Sequence, residues 1–471
     1  MTMYVAGEWR SAAREEEIRN PYDGEVVGVV PVADADDADL AITAAVEGAR
    51  AMRALSAFER SEILRRAADA TQHAVEELAR TIALEVGKPL TEARGEAARI
   101  PALLRTSASE GARMHGETVP ADSAANGRGT LAFTIRQPCG VVVAISPFNY
   151  PALLVAHKLG PALAAGNAVV VKPARQTPLT ALFLTRVLLE AGLPENAIQC
   201  LTGSGSELGP VLCADPRVRK ISFTGSTAVG VTITRVAGVK RLSLELGANC
   251  PLIVLPDADL DRVAAATVTG GFVNAGQVCI SVQRVLVARE VYGDFIERLT
   301  PLVEGLRTGH PLDAQTGLGP VISEVEAMRV ERTIREAVEA GATLVTGGER
   351  DGAVVAPSIL GDVDPLLEIS RSELFGPAVA LTPVSGIDEA IALANDSDYG
   401  LGAGLFTSDL DSALRFATEV DCGSIQINSS PLWRSDPMPY GGLKGSGIGK
   451  EGPRSAIEEM TELKTVVFHR G

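Results

Sequence analysis

Cys279 lies in the segment GQVCIS, in a glycine-bounded turn that follows a helical stretch. As a thiolate, a sulfur so placed attacks carbonyl carbon and splits one difficult step into two easier ones. A cysteine taken alone is more often a buried, inert thiol, so its company decides. Glu245 closes the apolar run of LSLELGAN, and Asn149 follows a strand signal in SPFNYP. A carboxylate at the C-terminal end of a strand points into the crevice where open α/β sheets bind ligands, and suits a general base. An asparagine amide in the same position can donate to a developing oxyanion. Each also has a plainer reading, Glu245 as a solvated loop acid and Asn149 as part of a proline-bounded turn.

A second set of residues suits a dinucleotide. Lys172 follows the strand signal NAVVV and precedes Pro173, where it reaches a ribose hydroxyl or phosphate, or stands as a strand-end charge. Gly225 and Ser226 in FTGSTAVG open a helix whose free N–H groups suit a phosphate. This is not the GxGxxG fingerprint. GSGSELG, from Gly203 to Gly209, misses that fingerprint by one residue and reads as a turn with a helix start. In ELFGP, Gly376 and Pro377 set a turn that holds Glu373 and Phe375. A carboxylate there clamps a ribose diol and an aromatic ring backs a nicotinamide; the alternative is a surface turn.

The elements that must position these residues alternate. From Gly140 the chain reads GVVVAIS as strand, ALLVAHKLGPALAAG as helix, NAVVVKP as strand and TALFLTRVLLEAG as helix. IQCLTG, VRKISFTG and RLSLELG continue as strands separated by helices. Such alternation predicts a parallel sheet covered on both faces. A second series starts near Pro251, and Asp34–His115 reads as helix from its three- and four-residue apolar spacing. The fold class is therefore α/β, with two doubly wound Rossmann-like domains. The expected division is 1–119 with 140–246 for the dinucleotide-binding domain and 247–428 for the catalytic domain. Segments 120–139 and 429–471 form a small extended β element, whose lone strands TLAFTIRQP and LKTVVFH need partners that another subunit could supply.

Composition narrows the function. The 471 residues carry 43 basic and 59 acidic side chains, a formal charge of −16, which argues against nucleic-acid and anionic-membrane surfaces. The first residues lack the features of a signal peptide and no apolar run reaches membrane-spanning length, since Gly140–Val171 is interrupted by Pro147, Asn149, Pro151, His157 and Lys158. Six cysteines without framework spacing then read as reduced thiols in a cytoplasmic protein. Five scattered histidines have no metal-ligand spacing.

Taken in order, SPFNYP, VVKPA, FTGST, LELG, GQVC, ELFGP and PYGGLKGSGIGKEG resemble the aldehyde dehydrogenase superfamily over nearly the whole chain. The likeness is to its non-acylating, NAD(P)-dependent members, in the branch that acts on lactaldehyde, phosphonoacetaldehyde or, without phosphorylation, glyceraldehyde 3-phosphate. The resemblance implies an enzyme that oxidises an aldehyde to the acid, with Cys279 as nucleophile and Glu245 as base for thioester hydrolysis. It implies an oxyanion hole from Asn149 and the Cys279 N–H. Lys172 holds the adenosine ribose and Glu373 the nicotinamide ribose, Gly225 and Ser226 meet the pyrophosphate, and Phe375 lies by the nicotinamide. Ser146, Pro147, Phe148, Ala174, Gly205 and Leu246 complete the cofactor cleft. The resemblance also implies a homodimer or homotetramer.

Departures from the family pattern carry information. LELGG reads LELGA, with Ala248 beside the base and Cys250 close after, and Cys139 stands at a position usually apolar. KPAE or KPSE reads KPAR, so Arg175 replaces a glutamate that repels a 2′-phosphate; arginine pairs well with phosphate, and NADP acceptance is expected. Arg434 lies in the substrate-entrance loop, and Arg99 and Arg113 on a helix that borders the same tunnel in relatives. These arginines favour a small anionic or hydroxylated aldehyde, although Val278 stands where such relatives often carry arginine before the nucleophile. A coenzyme A-acylating enzyme is disfavoured because the base Glu245 is present. A non-catalytic binding protein on this scaffold is disfavoured by the complete Cys279, Glu245 and Asn149 set.

Overall fold

The computed structural model describes residues 1–469. Two sheets dominate it. The first has eight strands, and its parallel centre runs Ile198–Cys200, Ala168–Lys172, Val141–Ile145, Val218–Thr224, Arg241–Glu245. Strand order reverses between Val141–Ile145 and Val218–Thr224, and open α/β sheets form a ligand crevice at the C-terminal ends of strands on either side of such a reversal. The second sheet has seven strands, parallel apart from the edge strand Thr343–Thr346. The chain passes from one sheet to the other between Arg241–Glu245 and Cys250–Val254.

The apolar spacing of Asp34–His115 becomes four helices, Ala35–Ala54, Ala57–His73, Val75–Val86 and Leu90–Ala112. Asp34 and Ser56 close the first two with capping boxes. The helix Leu153–Ala164 is buried at every position, as expected of a segment apolar on all sides. His157 and Lys158, which interrupt its apolar run, are buried within it and partnered.

The lone strands, for which another subunit could have supplied partners, pair within the chain. Thr461–His469 pairs antiparallel with Thr130–Pro138 along nine residues, and Thr118–Val119 adds a third strand. Two apolar strands from distant parts of one chain satisfy each other's backbone groups without waiting for assembly. The segment 429–471 is also divided in the structure. Gly447–Ile448 joins the edge of the first sheet, and the helix Pro453–Glu459 packs on Leu153–Ala164, so only its final strand enters the three-stranded sheet. Among the described residues, no helix is long and apolar enough to cross a membrane.

Candidate active site

Cys279 stands between the helix Leu260–Phe272 and the strand Val282–Ala288. The intervening turn contains three consecutive left-handed residues, Asn274, Ala275 and Gly276. Gly276 is required there, because a Cβ would meet the Gly376 carbonyl oxygen at 2.1 Å. This sharp reversal presents the sulfur at the junction of two cavities. One, of about 970 Å³, opens along the C-terminal ends of the first sheet. The other, of about 560 Å³, opens on the opposite side. Cys279, Asn149 and Leu154 line both.

The larger cavity collects the residues expected to face a dinucleotide. Ser146, Pro147 and Phe148 follow the strand Val141–Ile145 into it. Lys172, Ala174 and Arg175 enter from the next strand, and Gly205 from the start of the helix Gly205–Ala214. Gly225 and Ser226 lie at the N-terminus of Thr227–Val236, where Ser226 makes no side-chain cap bond and the first N–H groups stay available for an anion. Leu246, Glu373 and Phe375 form the far wall. Phe375 has a left-handed backbone and meets Phe148 edge to face, with centroids 5.9 Å apart.

Electrostatics in this cavity suit a neutral diol and a phosphate chain. Burial lowers the Lys172 ammonium to about 8, and its Nζ donates to the Pro173 carbonyl at 2.5 Å. Burial pushes the Glu373 carboxyl up to about 7, against the bond it accepts from the Ala248 N–H at 3.1 Å. Arg175 pairs with Glu16 across the rim, Nε to Oε1 at 2.5 Å. Ala248 lines neither of the two large cavities, so its place beside Glu245 leaves their walls unchanged.

Glu245 ends its strand inside the larger cavity, fully shielded, and neither carboxylate oxygen has a partner among the described residues. Burial and the nearby Glu451 push its carboxyl well above the ordinary range. The backbone of Gly441 closes on it; a Cβ at that left-handed position would meet Glu245 Oε1 at 2.7 Å. Asn149 donates from Nδ2 to the Gln277 carbonyl at 2.8 Å. Its main-chain carbonyl accepts from the buried Lys88 Nζ at 2.6 Å and from Asn274 Nδ2 at 3.0 Å. Lys88 is paired in turn with Glu96 at 2.7 Å, and Glu96 accepts from the N–H groups of Ala152 and Leu153. The asparagine is thus held from three directions before any ligand arrives.

The smaller cavity takes its charge from Arg99 and Arg434. Arg99 is engaged by Asp436 through two bonds, and His157 donates to the same carboxylate at 3.1 Å. Arg434 lies over the Tyr440 ring, 3.8 Å from its centroid, and 3.5 Å from Glu451. Its Nε is shielded and without a partner among the described residues. Arg113 does not join them: it is exposed beside Glu110, at the end of the helix that carries Arg99. Val278 forms apolar wall.

Several site residues escaped sequence reasoning. Tyr440 places its hydroxyl 2.9 Å from the Cys279 sulfur. Glu451 joins Lys158 at 3.0 Å and Arg434, and although burial pushes its carboxyl up, these cations and His157 hold it down at about 2. Lys158 also donates to Thr224 at 2.7 Å. The available signal was a lysine inside an otherwise apolar helix, since charges are rarely buried unless paired.

With this geometry in place, comparison with known proteins is decisive. The model of the aldehyde dehydrogenase family matches residues 9–466, and the chain belongs to that family. It is an NAD(P)-dependent aldehyde dehydrogenase. A 3-sulfolactaldehyde dehydrogenase of Priestia aryabhattai is 47% identical over 467 residues, 99% of this chain and 98% of that protein. A lactaldehyde dehydrogenase of Methanococcus vannielii is 39% identical, over 99% of this chain and 100% of that one. Among solved structures, a glyceraldehyde-3-phosphate dehydrogenase of Methanocaldococcus jannaschii complexed with NADP superposes with a TM-score of 0.94 at 38% identity, covering 97% of this chain and 100% of the other.

Proposed function

We propose that the chain oxidises a short aldehyde carrying a hydroxyl and an anionic group, of the 3-sulfolactaldehyde kind, to the carboxylic acid. The observation that carries this reading is Arg434, which lines the cavity that ends at Cys279 and whose Nε has no partner among the described residues. A guanidinium without a full complement of acceptors favours an anion. The names of the Priestia and Methanococcus relatives point to the same substrate class.

In this reading Cys279 attacks the aldehyde carbon, and Asn149 with the Cys279 N–H stabilises the oxyanion. A nicotinamide dinucleotide bound in the larger cavity would supply the hydride acceptor needed to convert the Cys279 adduct to a thioester. Glu245 then takes a proton from water as the water attacks the thioester carbon, and Cys279 departs as the thiolate. Lys172 and Glu373 hold the two riboses, and the N-terminus at Gly225 and Ser226 holds the pyrophosphate. Arg175 makes NADP an accepted cofactor.

Supporting a homodimer or homotetramer, Leu463, Val467 and Phe468 are exposed on the edge strand of the small sheet. All six cysteines are unpaired, which supports a cytoplasmic setting. The test compares kcat/KM for 3-sulfolactaldehyde and lactaldehyde with NAD and NADP, following reduced cofactor, with Cys279→Ala as control. Preference for the sulfonated aldehyde and an inert variant are expected. Preference for the neutral aldehyde would remove the anionic assignment, and turnover by Cys279→Ala would remove the covalent one.

A further inference from the structure

The sulfur of Cys279 has one hydrogen-bond partner among the described residues, the Tyr440 hydroxyl at 2.9 Å. Tyr440 is buried, and its main chain is pinned by reciprocal bonds with Glu451, 3.1 Å and 2.6 Å long. Rotation of the phenol away from the sulfur is therefore restricted. On the ring, 3.8 Å from the centroid, lies the Arg434 guanidinium. A cation over an aromatic face draws electron density from it, which makes the phenol O–H a better donor. A neutral thiol can donate to the phenol oxygen, but a thiolate can only accept, so ionisation of Cys279 turns this contact into a charge-assisted bond from O–H to sulfur.

We propose that Tyr440 is a further catalytic residue, whose hydroxyl donates to the Cys279 sulfur and holds the thiolate ready for attack on the aldehyde. The assignment rests on Cys279 being the nucleophile. As the sulfur lone pair forms the S–C bond, the carbonyl π pair moves to oxygen and the hydrogen bond to sulfur is released. The phenol keeps its proton throughout, so no acid or base is consumed. The hydroxyl then faces a thioether sulfur, a weak acceptor, and does not compete with collapse of the intermediate.

The surroundings make this donor necessary. Burial pushes the Cys279 thiol up to about 12, and the carboxylates of Glu373 and Glu245 act in the same direction. The Tyr440 bond and the Arg434 charge oppose them. Cys250, whose thiol donates to the Cys279 main-chain carbonyl, and the neighbouring Tyr150 are held neutral by burial. Tyr440 itself stays protonated, because burial and the neighbouring sulfur raise its phenol.

The test is alkylation of the full-length protein by iodoacetamide, a small neutral probe, as a function of pH, with the labelled cysteine identified by peptide mass. Tyr440→Phe keeps the ring and the Arg434 stack and deletes the donor. The expected result is an alkylation rate at pH 8 about tenfold lower than wild type and an alkaline displacement of the profile. Arg434→Met, which retains the hydroxyl, should give a smaller displacement in the same direction. Superimposable profiles for Tyr440→Phe and wild type overturn the role of Tyr440 while leaving Cys279 as nucleophile. Absence of any label at Cys279 in the wild type overturns both. Thermal unfolding of Tyr440→Phe at the wild-type temperature, together with the displaced profile, separates a catalytic effect from a packing one.

Discussion

Arg175 and Glu16 face each other across the rim of the cofactor cleft, guanidinium Nε to carboxylate Oε1 at 2.5 Å. The arginine that sequence comparison marks as a phosphate partner is therefore already paired, by a strand that enters the chain 159 residues earlier. A 2′-phosphate must displace Glu16 or share Arg175 with it, and Glu16 repels that phosphate. Glu16→Gln should raise kcat/KM for NADP by about fivefold, in keeping with an exposed pair, and leave NAD nearly unchanged. Arg175→Glu should reverse the preference. Initial rates with both cofactors at fixed ionic strength check the pair, and an equal gain with NAD and NADP would remove Glu16 from cofactor selection.

Arg434 should set the charge preference of the substrate. Arg434→Met is expected to lower kcat/KM for 3-sulfolactaldehyde by about 100-fold, the scale on which a buried charge partner is lost. Lactaldehyde should lose at least tenfold less. The ratio of the two specificity constants is the readout, because a general disturbance of the site would lower both together.

Replacing Glu245 with glutamine should separate the two halves of the reaction. Steady-state turnover is expected to fall by about 1,000-fold, while a burst of reduced cofactor close to one equivalent per site persists. Mass spectrometry should find the acyl group on Cys279. Rapid mixing checks this, and loss of the burst would place Glu245 before the thioester.

The pH dependence of kcat follows from the same carboxylate. Burial and Glu451 raise Glu245, and the base acts only when deprotonated. Its contribution is thus lost as pH falls through the raised value, and the acid limb of kcat should lie above the ordinary glutamate value of about 4.3. A pH-rate profile taken under conditions where hydrolysis limits turnover tests the sign.

Lys88 should be a stability determinant that also affects rate. It is buried with Glu96 and the Asn149 carbonyl. Lys88→Met leaves the Glu96 carboxylate uncompensated, at a cost of about 3 kcal/mol, and releases one of the three restraints on Asn149. Denaturant unfolding should show the loss, and kcat should fall even in solutions where the variant is fully folded.

Much of this architecture was legible before any coordinates. Alternating strands and helices are local patterns with short periods, so GVVVAIS, NAVVVKP and RLSLELG identified the central strands directly. Once those strands were placed, Asn149, Lys172, Gly225 and Glu245 had to lie at one end of the sheet, because parallel strands present their C-terminal ends together. Their individual roles came through resemblance. The interruptions at His157 and Lys158 looked like breaks in an apolar run, and their purpose could not be read without Asp436 and Glu451 beside them.

By itself the sequence determined the α/β class, the strand-end positions of the chemical groups and the glycine-bounded turn that holds Cys279, since each depends on neighbours a few residues away. Only the tertiary structure decided that Tyr440 meets a sulfur 161 positions earlier, that Glu16 occupies Arg175, and that Thr130–Pro138 pairs with Thr461–His469 instead of awaiting another subunit. Such contacts are made by surfaces brought together when the two sheets and the small one close on each other, and no local periodicity records which distant side chain will fill a given space.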